Sequence, residues 1–357
     1  MINILIIGYY KLDDGFLYGA KALDNFNYNI IFFPYSFYIN DNKLEVDNIL
    51  KLKIINNKIN ICLWWNNSIQ YDNTKNIIND SDLKNIKHLC FNWDPFLYNY
   101  QKYDNIIKSW EHIINNKINC YSLMNHIFSC YEKEIEIIKN KDNNNSNNQI
   151  SISYLSPGFD KDISYFYKDE LYECDISIIC TNLYDDIEIF PDISTNITRY
   201  EIVNKLYENR HMFKFHIYGP DKFKKKFPDC YKGFIKYKDC YKVFSNSKIN
   251  LSIHPIIYEL NNEKSNEEYF SERVPQILGC SGLLVSNSYF SNKLKNNINY
   301  INIDKNIDWF KKILDIIENS ELYDEIRENG YKTACKYYQW NNWAKKIDEK
   351  IKIIYDL

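Results

Sequence analysis

The sequence predicts two α/β domains in tandem, each built on a mostly parallel sheet covered by helices. Three observations predict it. Short, continuous apolar runs alternate with segments of helical spacing, the pattern of βαβ units joined by right-handed crossovers. The chain has 357 residues, enough for two separate cores at roughly 150 residues per domain. Its composition is 45% hydrophobic and 17% aromatic, which excludes a disordered chain.

Each element follows from its own residues. Ile2 to Ile7 is a nearly unbroken apolar strand of the kind buried on both faces of a parallel sheet. Asn29 to Phe33, Ile59 to Trp65, Lys87 to Trp93 and Ile150 to Leu155 repeat that character. Leu17, Ala20, Leu23 and Phe26 recur at helical spacing between the first two. Lys139 to Gln149 contains no apolar residue and reads as a solvated loop or a disordered insert. The turn-forming Ser156-Pro157-Gly158-Phe159-Asp160 leads into the linker, so the first domain is expected over 1–165. The second, over 166–340, offers strands at Asp175 to Cys180, Phe213 to Tyr218, Phe234 to Tyr237, Ile249 to His254, Gly282 to Ser286 and Tyr300 to Ile303. Helices are expected at Thr198 to Asn209, Phe270 to Leu278, Ile307 to Glu318 and Glu321 to Lys336. Residues 341–357 form a last helix. With its lead-in it carries an apolar stripe of Trp340, Trp343, Ile347, Ile351 and Ile354 that should pack back on the protein.

Charge and cysteine usage narrow the function. The net charge is −3 and no long Lys/Arg run occurs, so nucleic acid is not an expected partner. Lys222 to Lys226, broken by Phe223, reads as a short solvated helix face. Ten cysteines contain no Cys-x-x-Cys pair, and several lie within or beside apolar segments. They read as reduced, buried thiols, which fits a cytoplasmic location, and no metal site is expected. No apolar run reaches the roughly 18 residues that span a bilayer, and Met1 to Gly8 reads as a buried strand, not a signal peptide. Asn, Ile, Lys and Tyr share AT-rich codons, so individual Asn and Tyr residues carry little functional weight.

Several segments resemble one family in order and spacing. Ser271 to Ser286 (SERVPQILGCSGLLVS) is similar to a Ser-x-Arg-hydrophobic-x-Glu-x-x-(Ala/Gly)-Cys-Gly-Gly-x-Leu-Leu pattern. Lys248 to Pro255, Tyr218-Gly219-Pro220, Gly233 to Tyr237, Trp93-Asp94-Pro95 and Leu155 to Asp160 supply further landmarks, although Pro95 follows its Asp directly. Together they resemble the bacterial spore-coat glycosyltransferase-like family, within the GT-B glycosyltransferases. The resemblance implies two Rossmann-like domains facing across a cleft, with a nucleotide-sugar donor in the C-terminal domain and a glycan or glycoprotein acceptor at the first. It implies sugar transfer to a hydroxyl, independent of metal and cofactor, tilted toward retention of configuration. UDP, GDP and dTDP are not distinguished as donors. A catalytically silent relative that binds nucleotides or glycans is the alternative, and a sugar-nucleotide epimerase is a further one.

The candidate residues follow. A diphosphate needs backbone N–H groups at a helix start and basic side chains, so Arg273 is a donor-binding candidate; it is otherwise a helix residue paired with an acid. Gln276 stands where the resemblance places a ribose-gripping Glu, and an amide has one acceptor oxygen where a carboxylate has two. Glu268 takes the first position of a Glu-x7-Glu pattern and is expected near the transferred sugar. His254 ends a strand and either faces the diphosphate or is a core histidine. Arg199 opens a helix and either reaches the phosphates or pairs locally. Gly219 and Gly282 complete the donor side; for Gly282, close packing alone is a sufficient reason. On the acceptor side, Asp13, Asp14 and Gly15 lie in the loop after the first strand. Asp13 and Asp14 either contact an acceptor sugar, with Asp14 also a catalytic candidate, or are a pair of solvated turn residues. The loop's glycine spacing does not match the dinucleotide fingerprint, which argues against an NAD enzyme. Asp94 is the leading candidate for deprotonating an acceptor hydroxyl, or else caps the turn at Pro95.

Overall fold

A computed structural model describes residues 1–8, 15–34, 43–65, 71–92, 119, 121–132, 135–136, 138–139, 150–181, 183, 199–254, 257–258, 264–265, 271–290, 293–303 and 308–357. In chain order the strands are β1 (Ile2–Gly8), β2 (Tyr28–Pro34), β3 (Ile61–Trp65), β4 (Lys87–Asn92), β5 (His126–Ser129), β6 (Ile152–Tyr154) and β7 (Cys174–Ile179). They continue as β8 (Phe215–Tyr218), β9 (Tyr231–Gly233), β10 (Ser247–Leu251), β11 (Ile257–Tyr258), β12 (Lys264–Ser265), β13 (Leu284–Ser286) and β14 (Ile301–Asn302). The helices discussed below are α1 (Phe16–Ala22), α2 (Lys43–Asn56), α3 (Tyr71–Ile78), α4 (Arg199–Glu208) and α5 (Lys222–Lys226). They are followed by α6 (Cys240–Phe244), α7 (Arg273–Gly279), α8 (Trp309–Glu318), α9 (Asp324–Tyr337) and α10 (Trp340–Ile354).

The chain divides into two compact units, Met1–Pro157 together with Trp340–Leu357, and Gly158–Gln339. In the first unit six parallel strands run in the order β2-β1-β3-β4-β5-β6. Ile4, Leu5, Ile6 and Ile7 are all buried, which is why β1 reads as an unbroken apolar run instead of an alternating one. The helix α10 belongs to this unit. Trp340, Trp343, Ile347 and Ile351 join the core formed by Ile4, Ile6, Leu63 and Phe91. Trp343 meets Phe91 edge-on at 5.4 Å, and Tyr28 Oη donates to Asp348 Oδ1 at 2.7 Å. Sequence periodicity did not reveal β5, because its four residues, His-Ile-Phe-Ser, contain only two apolar ones.

The second unit holds the parallel order β14-β13-β10-β7-β8-β9. Taking its strands in chain order, that is 6-5-4-1-2-3, the doubly wound arrangement whose chain reverses direction between its first and fourth strands, here β7 and β10. Two expectations shift. Residues 158–165, expected with the first domain, belong here: Phe159 is buried among Val274, Ile277 and Leu278, and its amide donates to the Tyr338 carbonyl at 2.8 Å. The strand expected at Phe234 to Tyr237 lies instead at Tyr231–Gly233, because Gly233 adopts φ +98 and turns the chain off the sheet edge. Between β7 and β10 the core is not wholly apolar. Ser177 Oγ donates to Asn250 Oδ1 at 2.9 Å, and Asn250 Nδ2 donates to the Phe244 carbonyl at 3.0 Å. With its partners supplied, the buried amide ties β7, β10 and α6 together without the cost of an orphaned polar group.

Candidate functional site

In a doubly wound sheet, ligands bind beyond the carboxyl ends of the strands at the point where the strand order reverses. Here that point lies past Ile179 of β7 and Leu251 of β10, and the chain places a buried polar cluster there. After β10 it continues as Ser252-Ile253-His254, all buried. The Ser252 amide donates to the Val285 carbonyl at 3.0 Å, and three further hydrogen bonds pin this stretch to the end of β13. Ser286 Oγ donates to the Ser252 carbonyl at 2.7 Å. The His254 amide donates to Asn287 Oδ1 at 2.8 Å, and Asn287 Nδ2 donates back to the His254 carbonyl at 2.9 Å. The imidazole itself lies edge-on to Phe290 at 5.8 Å, with Nε2 3.1 Å from Ser252 Oγ.

Two arginines flank this histidine. Arg273 opens α7 and donates from Nη1 to the Ile179 carbonyl at 3.1 Å, so its guanidinium lies over the end of β7. Its Nε is out of solvent and has no hydrogen-bond partner among the described residues, as is also true of Ser271 Oγ. Arg199 opens α4 and is 6% exposed. Burial first, then the charges of Arg273 and Arg199, hold His254 well below the ordinary histidine range, so the imidazole is neutral at physiological pH. One buried and one partly buried guanidinium group, a neutral imidazole and donors without acceptors make a site of positive potential in a low-dielectric setting. The first turns of α4 and α7 add backbone N–H groups without intrahelical partners. Chemically, this is a receptacle for a compact, multiply charged anion.

The other sequence candidates distribute unevenly. Gln276 sits one turn into α7 and is 3% exposed. Gly219 follows β8 at the same sheet edge, where a Cβ would stand 2.3 Å from the Cys180 carbonyl oxygen, so close backbone packing requires glycine there. Gly282 does not join them. It precedes β13, at the amino end of the sheet, where a Cβ would meet Asn250 Nδ2 at 2.7 Å and the Phe244 carbonyl at 2.9 Å. There it lines a cavity of about 550 Å³ with Asp175, Lys214 and Lys248, at the edge opposite His254. Its role is to leave room for the buried amide of Asn250. Gly15, in the first unit, is buried at the start of α1, and its carbonyl accepts from the Tyr18 amide at 3.0 Å. Asp13, Asp14, Asp94 and Glu268 lie outside the described residues. Among the described residues no group of three His, Cys, Asp or Glu side chains is placed to hold a metal ion, and no helix is long and apolar enough to cross a membrane.

Sequence reasoning missed Ser252, Asn287 and the Ile179 carbonyl. Ser252 carried a usable signal, lying two residues before His254 on a strand-like run and so on the same side. Asn287 and Ile179 carried none, because their role depends on which strands are neighbours.

Residues 199–349, spanning Arg199, His254, Arg273 and Gln276, match the family model described as glycosyl transferase-like. No curated protein matches the chain. Among solved structures, sucrose-phosphate synthase from Thermosynechococcus elongatus superposes with a TM-score of 0.71 at 9% identity, covering 100% of both chains. An α-glucosyltransferase in complex with UDP and DNA gives 0.59 at 12% identity, over 98% of this chain and 99% of that one. UDP-GlcNAc 2-epimerase from Neisseria meningitidis gives 0.53 at 11% identity, over 98% and 99%. At these identities the likeness establishes the fold alone: the chain has the GT-B fold, with two Rossmann-like units, and its residues 199–349 are similar to the glycosyl transferase-like family.

Proposed function

We propose that this protein transfers a sugar from a nucleotide diphosphate sugar to a hydroxyl of a glycan or protein. The donor diphosphate would lie against Arg199, Arg273 and His254. The observation that carries this reading is the convergence of both arginines on one buried, neutral histidine where the second sheet reverses its strand order. Departure of the sugar leaves charge on the diphosphate, and fixed guanidinium groups stabilise that charge more in the transition state than in the ground state. A neutral imidazole can add a hydrogen bond without competing for the proton balance. Basic side chains and helix termini supply the neutralisation a metal would otherwise give, so transfer proceeds in the presence of a chelator. Retention of configuration is the expected outcome, read from the anomer formed by NMR.

The test is binding of UDP, GDP and dTDP by calorimetry. One of them should bind, and Arg273→Ala should weaken it by about 10- to 100-fold, the loss of one or two charge-assisted hydrogen bonds. If none binds, or Arg273→Ala leaves the affinity unchanged, the transferase reading falls.

A second reading is favoured by one residue. Gln276 is buried where the resemblance places a carboxylate, which fits a relative that holds a nucleotide without turning it over. Release of nucleoside diphosphate across a panel of sugar donors separates the two: binding without release supports the silent form.

A further inference from the structure

The proposed transfer leaves one surface of the second unit unexplained. Residues 222–238 (KFKKKFPDCYKGFIKYK) hold seven lysines and one acid in a chain whose net charge is −3. The segment folds as one piece: α5 and β9 pack together, with the Phe227 carbonyl accepting from the amides of Cys230 and Tyr231 at 3.1 and 2.9 Å. Phe223 and Phe227 face inward and are buried, which turns Lys222, Lys224, Lys225 and Lys226 outward. From 231 to 239 exposure alternates, and the exposed positions are Lys232, Phe234, Lys236 and Lys238.

Two of the three neighbouring acids already have a cationic partner, and the third accepts from a tyrosine. Asp229 is engaged by Arg210 at 2.8 Å, Asp239 by Lys242 at 2.9 Å, and Asp221 by Tyr231 Oη at 2.8 Å. Lys224, Lys225, Lys232, Lys236 and Lys238 make no ion pair among the described residues. Among them Phe234 stands 72% exposed, at the turn after Gly233. An exposed phenyl ring among lysines without ion pairs is complementary to an anionic surface with an apolar interior. Lysines bind anionic headgroups while an aromatic ring enters the boundary between headgroups and acyl chains.

We propose that this face docks the protein onto an anionic lipid bilayer, with Phe234 inserted and Lys224, Lys225, Lys232, Lys236 and Lys238 against the headgroups. The proposal is independent of the transferase reading, since none of these side chains belongs to the Arg199–His254–Arg273 cluster.

Sedimentation with lipid vesicles tests it. The intact chain should bind vesicles of phosphatidylcholine with about a third phosphatidylglycerol, release as salt is raised, and ignore pure phosphatidylcholine. A lysine near such a surface is worth about fivefold in partitioning, so K224Q/K225Q/K236Q should bind roughly a hundredfold more weakly. Phe234→Ala should lose about tenfold and keep the salt dependence. These side chains are exposed, so thermal unfolding midpoints should match the unaltered protein and show that folding is intact. Failure of the intact chain to bind anionic vesicles at low salt overturns the proposal, as does equal binding by the triple lysine variant. Lysine-dependent binding to DNA without binding to vesicles would likewise overturn it and reassign the face to nucleic acid.

Discussion

Asn287 and His254 bind each other's opposite ends: the His254 amide donates to Asn287 Oδ1 at 2.8 Å, and Asn287 Nδ2 donates to the His254 carbonyl at 2.9 Å. One side chain thus completes the backbone ladder where β10 and β13 have ended, and it fixes the loop that presents the imidazole to the arginines. Asn287→Leu keeps the branched outline of the side chain and removes both bonds. Urea unfolding should show a loss of about 1–3 kcal/mol. Nucleotide affinity should fall with it, because the loop is no longer held. Unchanged values for both would mean that water replaces the amide.

Acid should destabilise the protein before its carboxylates titrate. Burial holds His88 to about 4; it holds His216 to about 4 with help from Lys232 and Lys214; and it holds His126 to about 3 with help from Lys350. His254 is shifted in the same direction. The unfolded chain takes up these protons near 6.5 and the native chain does not, so stability is complete above about pH 6.5 and falls as pH drops toward 4. Each histidine contributes roughly 1–3 kcal/mol over that window. His88→Gln should flatten the slope of the unfolding midpoint against pH. A midpoint constant from pH 7 to 4.5 would contradict the assignment.

Gly19 is the floor on which α10 rests. A Cβ there would stand 2.6 Å from Cε3 of Trp340, a side chain that is 2% exposed and cannot retreat. Gly19→Ala should cost about 1–3 kcal/mol by forcing the indole off its position. Trp340 fluorescence should change along with the unfolding midpoint. Equal stability would show that α10 shifts as a body at little cost.

Ser281 closes α7 in the left-handed region, φ +56, a conformation glycine adopts freely. The resemblance reads Gly at this place. Ser281→Gly should raise stability by about 0.5 kcal/mol, the relief of side-chain strain less the entropy glycine adds to the unfolded chain. Denaturant melts with an unchanged slope check it. A loss of stability would mean that the serine hydroxyl stabilises the turn by more than its conformation costs.

The elements legible in the sequence were those whose burial is symmetric or periodic. β1 reads directly because Ile4, Leu5, Ile6 and Ile7 are buried whichever way they point, and α10 because Trp340, Trp343 and Ile347 recur on one face. β5 was not legible, since two apolar residues make no pattern. β9 was displaced because the sign of φ at Gly233 depends on its partner, the Gly219 amide, which donates to its carbonyl at 3.0 Å. Among the site residues, Arg199, His254, Arg273 and Gln276 could be nominated by type and motif, whereas Gly282 was nominated with them and lies at the opposite sheet edge.

Local chemistry alone determined that there are two α/β units, that their strands are parallel, and which residue types can meet a diphosphate. These depend on side-chain period and hydrophobicity within a few residues of one another. Only tertiary structure decided that Arg199 and Arg273 come within electrostatic reach of His254. That proximity requires β7 and β10, far apart in sequence, to lie side by side at the reversal of strand order, and packing settles that neighbour choice over the whole sheet.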